Sequence, residues 1–232
     1  MRSLIGETMA ALPKSISVAS AKELGNVLCE GVRDIDKRCV RKFNGIDGGL
    51  CNVKLQFREQ ALSELGKRLT EETLISWLLM KHLAQKGFVV ELERPYPAGG
   101  RCDLVLSNPV VAWIEVKLAW KQWFKCDGGT GCSPAYKGYL FGDNSRAGAA
   151  HDFVKLECLS PSEAPGTGVF LIGFDSVRAS MDGDVAELIT KKRLQQRNWK
   201  VVHRESWSDR RNEAFRINCS FWWRDLLNGR TT

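Results

Sequence analysis

The chain has 232 residues, 44% hydrophobic and 26% charged, and its 34 Lys+Arg against 27 Asp+Glu leave a net charge of +7. That length and apolar content suffice for one domain with a substantial core, and they exclude a disordered or low-complexity chain. No apolar run approaches the roughly 20 residues needed to span a bilayer. The first twenty residues are broken by Glu7 and Lys14 and make a poor export signal, so a cytoplasmic protein without a membrane partner is expected.

The excess charge is unevenly placed. Residues 191–232 hold 11 Lys+Arg against 4 Asp+Glu, which equals the net charge of the whole chain. Trp199, Trp207, Phe215, Phe221, Trp222 and Trp223 lie in the same segment. Basic side chains interleaved with aromatics suit a phosphate backbone and unstacked bases, and a solvated helix followed by a core strand would account for the aromatics equally well. The eight cysteines include no Cys-x-x-Cys pair. Cys126 and Cys132 flank the loop "CDGGTGC", with His151 further on. A zinc site needs four ligands, so these are read first as reduced thiols.

In chain order, short helical patterning appears around Ala21–Val32, followed by a basic patch at Lys37–Lys42 and the glycines Gly45, Gly48 and Gly49. That punctuation predicts an N-terminal helical extension over 1–55, a main domain over 56–190, and a C-terminal extension over 191–232 packed on it. Leu62, Leu65 and Leu69 recur at helical spacing from Phe57 onward; Thr70 then offers an N-cap for a helix carrying Leu74, Leu78 and Leu79. Gly87 ends that helix, and "FVVELERPYP" reads as a strand. Two further strands follow in "GRCDLVLSNPVVAWIEVKLAW". Beyond a loop-rich stretch over Lys125–Ser145 come a helix in "AAHDFVKLECL", a strand apolar on both faces in "GVFLIGF", a helix over Asp184–Asn198, and two β-like runs, "WKVVH" and "FRINCSFWW". The order predicts an α/β fold, a central mixed β-sheet flanked by helices.

Three charges interrupt the apolar strands after Gly100. With a turn at Asn108-Pro109, antiparallel pairing sets Asp103 opposite Glu115, and Lys117 lies two residues on, on the same face. Leu104, Leu106 and Val116 face the other way. Opposed carboxylates repel unless a cation or proton lies between them, and a hard divalent cation accepts that pair while keeping several waters. Such an ion polarises a phosphodiester and acidifies water, and a lysine beside it can orient or deprotonate that water or offset charge in the transition state. A surface ion-pair ladder is the bland alternative, but "LVL" and "WI" belong to a buried sheet, where unpartnered charge is costly.

At these residues the chain resembles the PD-(D/E)XK superfamily, the restriction-endonuclease-like nucleases. The elements that carry the resemblance are "TEETLISWLLMKHLAQKGF", "VVELERPYP", "GRCDLVLSNPVVAWIEVKLAW" and "HDFVKLECL" before "GVFLIGF", spanning about residues 57–175. The resemblance implies a restriction-endonuclease-like core with Asp103, Glu115 and Lys117 as catalytic residues. It implies Mg²⁺, with Mn²⁺ as substitute, bound by Asp103, Glu115 and the Val116 carbonyl, with Glu72 as a further ligand. Glu71, Glu93, Asp152 and Lys155 are candidate neighbours of the site. Cys102 stands where the motif has proline. The implied activity is phosphodiester hydrolysis, in DNA first, of restriction, defence or repair type. One such site nicks one strand, and cutting both requires a homodimer or rebinding. The alternatives are a catalytically silent nucleic-acid-binding module of the same fold, and a nuclease for RNA or structured DNA.

Overall fold

Apolar strands and helices with one apolar stripe bury both most economically in layers, and the chain adopts a three-layer arrangement. The computed structural model describes residues 18–42, 45, 48–66, 69–125, 127–143 and 148–227. Its helices are α1 (Val18–Arg38), α2 (Val53–Leu65), α3 (Glu71–Gln85), α4 (Lys137–Phe141), α5 (Ala149–Glu157) and α6 (Asp182–Lys191). Six of its strands form the central sheet: β1 (Val89–Pro95), β2 (Arg101–Asn108), β3 (Ala112–Trp120), β6 (Gly166–Ser176), β7 (Lys200–Asp209) and β8 (Asn212–Asp225). Their order is β1-β2-β3-β6-β8-β7. Only β3 and β6 run parallel, so the sheet is mixed. Two short strands, β4 (Gln122–Phe124) and β5 (Thr130–Cys132), make a separate ribbon within the stretch expected to be loop.

Alternation sends each strand's side chains to two cores. Leu104, Leu106, Ile114, Val116 and Leu118 pack with α1, α2 and α3 on one face. Val105, Trp113, Val169 and Leu171 pack with α4, α5 and α6 on the other. The strand β6, between β3 and β8, is buried along its whole length, as its continuous apolar run requires. Among the described residues no helix is long and apolar enough to cross a membrane.

The helical stretch forms two helices, with Thr70 as the expected N-cap of the second. Gly66 closes α2 with φ 66°, a left-handed geometry that favours glycine. Thr70 then opens α3, its side chain accepting the Thr73 N–H at 3.2 Å. This cap places Glu71 and Glu72 in the first turn, where the helix dipole favours acids.

The two expected extensions are built into the layers. The stripe Leu24, Leu28, Val32 and Ile35 of α1 is buried in the same core as α3, β7 and β8. Residues beyond 190 supply β7 and β8, and β8 pairs with β6 from Gly166–Asp225 to Ser176–Phe215. Of the two readings open for the aromatics, the structure bears out the core one: Trp199, Phe215, Phe221, Trp222 and Trp223 are buried, and Trp207 is half-buried under the Arg33 guanidinium. Arginines of the same segment are bonded internally. Arg197 pairs with Glu157, Arg210 donates to the carbonyls of Cys39 and Gly48, Arg211 pairs with Asp209 at 2.6 Å, and Arg216 pairs with Asp175 at 2.9 Å. Much of the segment's distinctive charge therefore holds the fold together.

Candidate active site

The β2–β3 ladder pairs Leu106 with Ala112, Val105 with Trp113 and Leu104 with Ile114, the register expected from a turn at Asn108-Pro109. It stops one residue short of Asp103 and Glu115, because β2 parts from β3 there. Parting strands leave backbone N–H groups of β3 without a ladder partner, and buried donors must find one. Carboxylates supply it. Asp103 Oδ2 accepts the Val116 N–H at 2.8 Å, and Glu72 Oε2 accepts the Leu118 N–H at 3.2 Å. The cap at Thr70 aims the first turn of α3 into this gap, which is how Glu72 reaches a strand that its helix otherwise only covers.

Glu115 and Lys117 point to the α5 side. Lys117 Nζ lies 2.9 Å from Glu72 Oε1 and 3.4 Å from Asp152 Oδ2. Lys155, one turn beyond Asp152 on α5, lies 2.9 Å from Asp152 Oδ1 and 3.4 Å from Glu115 Oε1. Tyr96 donates its hydroxyl to Glu115 Oε1 at 2.7 Å. Of the expected residues, the fold thus gathers Asp103, Glu115, Lys117, Glu72, Asp152 and Lys155 into one cluster. Glu71 turns aside to Lys54, 3.4 Å away. Glu93 takes the position on β1 opposite Asp103, between the pairs Leu92–Leu104 and Arg94–Cys102. Its φ of 56° breaks the ladder there, a strained conformation of the sort that collects at functional sites. Cys132 and His151 are exposed, and Cys126 lies outside the described residues.

The electrostatics follow from burial. Glu115 is 3% exposed and Asp152 1%. Burial raises the Asp103 carboxyl well above its usual range, and the neighbouring Glu115 raises it further, against the Val116 N–H. Glu115 is raised by burial and then by Asp152, with Lys155, Asp103 and Tyr96 pulling it back. Burial works against the charge on Lys117, but Asp152 and Glu72 outweigh it and hold the ammonium above ordinary lysine. Lys155 is likewise raised by Glu115 and Asp152 in spite of burial. Held charged, Lys117 has no lone pair with which to deprotonate water, which leaves it as donor and cation.

Four carboxylates (Glu72, Asp103, Glu115, Asp152) surround two ammonium groups (Lys117, Lys155), an excess of two negative charges. With all four carboxyls ionised, an all-oxygen donor set with that excess would suit a hard divalent cation. Asp103 and Glu115 are the two whose carboxyls burial drives toward the neutral form, as opposed acids without a cation between them must be. A residue's N–H and C=O leave a strand on the same edge, so the Val116 carbonyl opens onto the gap that Asp103 enters. Glu72, expected as a further ligand, already uses both oxygens, on Lys117 and on the Leu118 N–H.

Two residues at the site were not expected there as participants. Tyr96 sits in the Pro-Tyr-Pro turn after β1, its ring tilted 34° against that of Trp113 with centroids 5.3 Å apart, and its buried phenol is held neutral as a donor. Cys102, in the motif's proline position, turns its thiol to the Ile114 carbonyl at 3.3 Å, at the last β2–β3 pair before the strands part. A bulky aromatic between two prolines was the available signal for Tyr96. Comparison of the chain with protein-family models, curated proteins and solved structures finds no match.

Proposed function

We propose that this protein is a Mg²⁺-dependent nuclease on a restriction-endonuclease-like core, hydrolysing phosphodiester bonds, DNA first. The observation that carries the reading is the gathering of four carboxylates, Glu115 and Asp152 of them buried, around two ammonium groups beside the gap between β2 and β3. Asp103, Glu115 and the Val116 carbonyl would hold Mg²⁺ or Mn²⁺, which when bound acidifies water and offsets charge on a phosphodiester. Lys117 supplies a fixed positive charge toward the developing oxyanion, positioned by Glu72 and Asp152 from either side. Tyr96 and Lys155 orient Glu115 through its Oε1, and its carboxyl also meets that of Asp103 at the gap. Arg94, over the Trp113 ring, and Arg101, bonded to the Glu93 carbonyl, are exposed on the ends of β1 and β2 and would meet phosphates that flank the scissile one.

One observation favours a second reading, a catalytically silent nucleic-acid-binding module. Glu115 is already satisfied by Tyr96 and Lys155, as a purely structural buried acid would be. Calorimetry with Mg²⁺ and Mn²⁺ separates the two. The nuclease reading requires a divalent-cation site in the wild type that disappears in Glu115→Gln. Tight, salt-dependent DNA binding without any such site would establish the silent module in its place.

A further inference from the structure

A second cluster of metal-type ligands lies far along the sheet, under α1. Glu205 of β7 pairs directly with Cys219 of β8, so their side chains share a face, and His203, two residues before Glu205, shares it too. On α1, Gly25, Cys29 and Arg33 recur every four residues and line one side of the helix. Gly25 lets the helix approach closely, since a Cβ there would lie 2.6 Å from the His203 Cβ. Cys29, one turn on, is thereby lowered onto His203 and Glu205, and one ligand atom from each of the three lies within 4.8 Å of the others. The Cys219 thiol shares a hydrogen bond with the Cys29 thiol, which adds a fourth donor.

We propose that Cys29, Cys219, His203 and Glu205 form a structural zinc site that clamps α1 to the edge of the sheet. Two sulfurs, an imidazole and a carboxylate are a set that zinc takes and Mg²⁺ does not. The buried His203 Nε2 has no hydrogen-bond partner, and it lies 3.9 Å from Glu205 Oε2. Zinc at about 2.0–2.3 Å from each ligand in a tetrahedron needs ligand atoms roughly 3.3–3.8 Å apart, so the side chains close by about an ångström on binding. Cys29 and Cys219 are fully or almost fully buried, at 0% and 1% exposure, which closes the sulfur side of the site to solvent, and His203 and Glu205 are half-buried. The charges also balance. Binding releases the two thiol protons, and the two thiolates with Glu205 then carry three negative charges. Zn²⁺ and the Arg33 guanidinium, 2.5 Å from Glu205 Oε1, supply three positive ones.

The test uses the full chain, reduced, loaded with Zn²⁺ or Co²⁺ and then desalted. One equivalent of metal is expected to remain bound. The Co²⁺ form should show the intense d–d bands of a tetrahedral ion together with thiolate-to-cobalt charge transfer. Cys219→Ser and His203→Gln should each weaken metal affinity at least tenfold, roughly the least that losing a ligand costs. Asp103→Asn, in the other cluster, should leave the cobalt spectrum unchanged. Because Cys29 and Cys219 are core residues, the wild-type spectrum also decides alone: no retained metal, or retained cobalt without a thiolate band, overturns the proposal. So does an unaltered thiolate band and affinity in folded Cys219→Ser, or loss of the band in Asp103→Asn.

Discussion

Replacing Asp103 with asparagine should stabilise the metal-free protein while removing its function. The oxygen of the introduced carboxamide can keep the 2.8 Å bond from the Val116 N–H, and its NH₂ can donate to Glu115 where a carboxylate would repel it. A hydrogen bond to a charged group contributes about 1.5–3 kcal/mol. The wild type already relieves part of the repulsion by binding a proton, so a net gain of about 1–2 kcal/mol is expected at pH 8 in EDTA. For a chain of this size that is roughly 2–8 °C in Tm. The pH dependence has a definite sign. A carboxyl whose pKa is raised on folding stabilises the folded state fully below its unfolded value, about 4, and that contribution is lost as pH rises through the raised value. Asp103 and Glu115 are both raised, so wild-type stability in EDTA should fall as pH climbs from about 4 through the raised values, and Asp103→Asn should fall less steeply. Added Mg²⁺ should stabilise the wild type and leave the variant unchanged. Urea unfolding at pH 5 and pH 8, with EDTA and with Mg²⁺, measures all of these. A variant less stable than wild type at pH 8 in EDTA, or one with an unaltered pH slope, would refute the opposed-carboxylate argument.

Tyr96→Phe removes the 2.7 Å bond to a buried acid and should cost about 1.5–3 kcal/mol in urea unfolding; no loss would mean that water replaces the phenol. Gly25→Ala sets a Cβ 2.6 Å from the His203 Cβ and 3.1 Å from the Phe221 ring. The resulting shift of α1 should cost about 1–3 kcal/mol, less the helix-propensity gain of up to about 1 kcal/mol, and a more stable variant would show that α1 is not pressed onto β7. Deleting residues 191–232 removes β7 and β8, and circular dichroism should report loss of the cooperative fold rather than a trimmed protein with weaker phosphate binding.

The parts of this fold written in short-range pattern were legible in the sequence. The Asn108-Pro109 turn and the alternation around it determine the β2–β3 register, and with it the face shared by Asp103, Glu115 and Lys117. Thr70 marks the start of α3, and unbroken apolarity marks β6 as central. What escaped was long-range. In "FRINCSFWW", alternation delivers Ile217, Cys219, Phe221 and Trp223 to one core and Trp222 to the other. The arginines around them looked like a phosphate-binding surface because their partners, Asp175, Glu157 and the Cys39 carbonyl, lie far away in the chain. Asp152 and Lys155 had the spacing of any solvated helix pair, and only the packing of α5 over β3 makes them neighbours of Glu115. Glu71 and Glu72 could not be separated by type; the direction of the first turn of α3 sends one to Lys54 and the other to Lys117.

The most direct test of the central claim is cleavage of supercoiled, linear, single-stranded and branched DNA by the wild type and by Asp103→Asn and Lys117→Met. Mg²⁺-dependent cleavage that EDTA abolishes is predicted for the wild type on at least one substrate. Each variant should lose about 10²–10³-fold or more in rate while remaining folded. Full activity in both variants, or the same cleavage by the wild type in EDTA, would contradict the account.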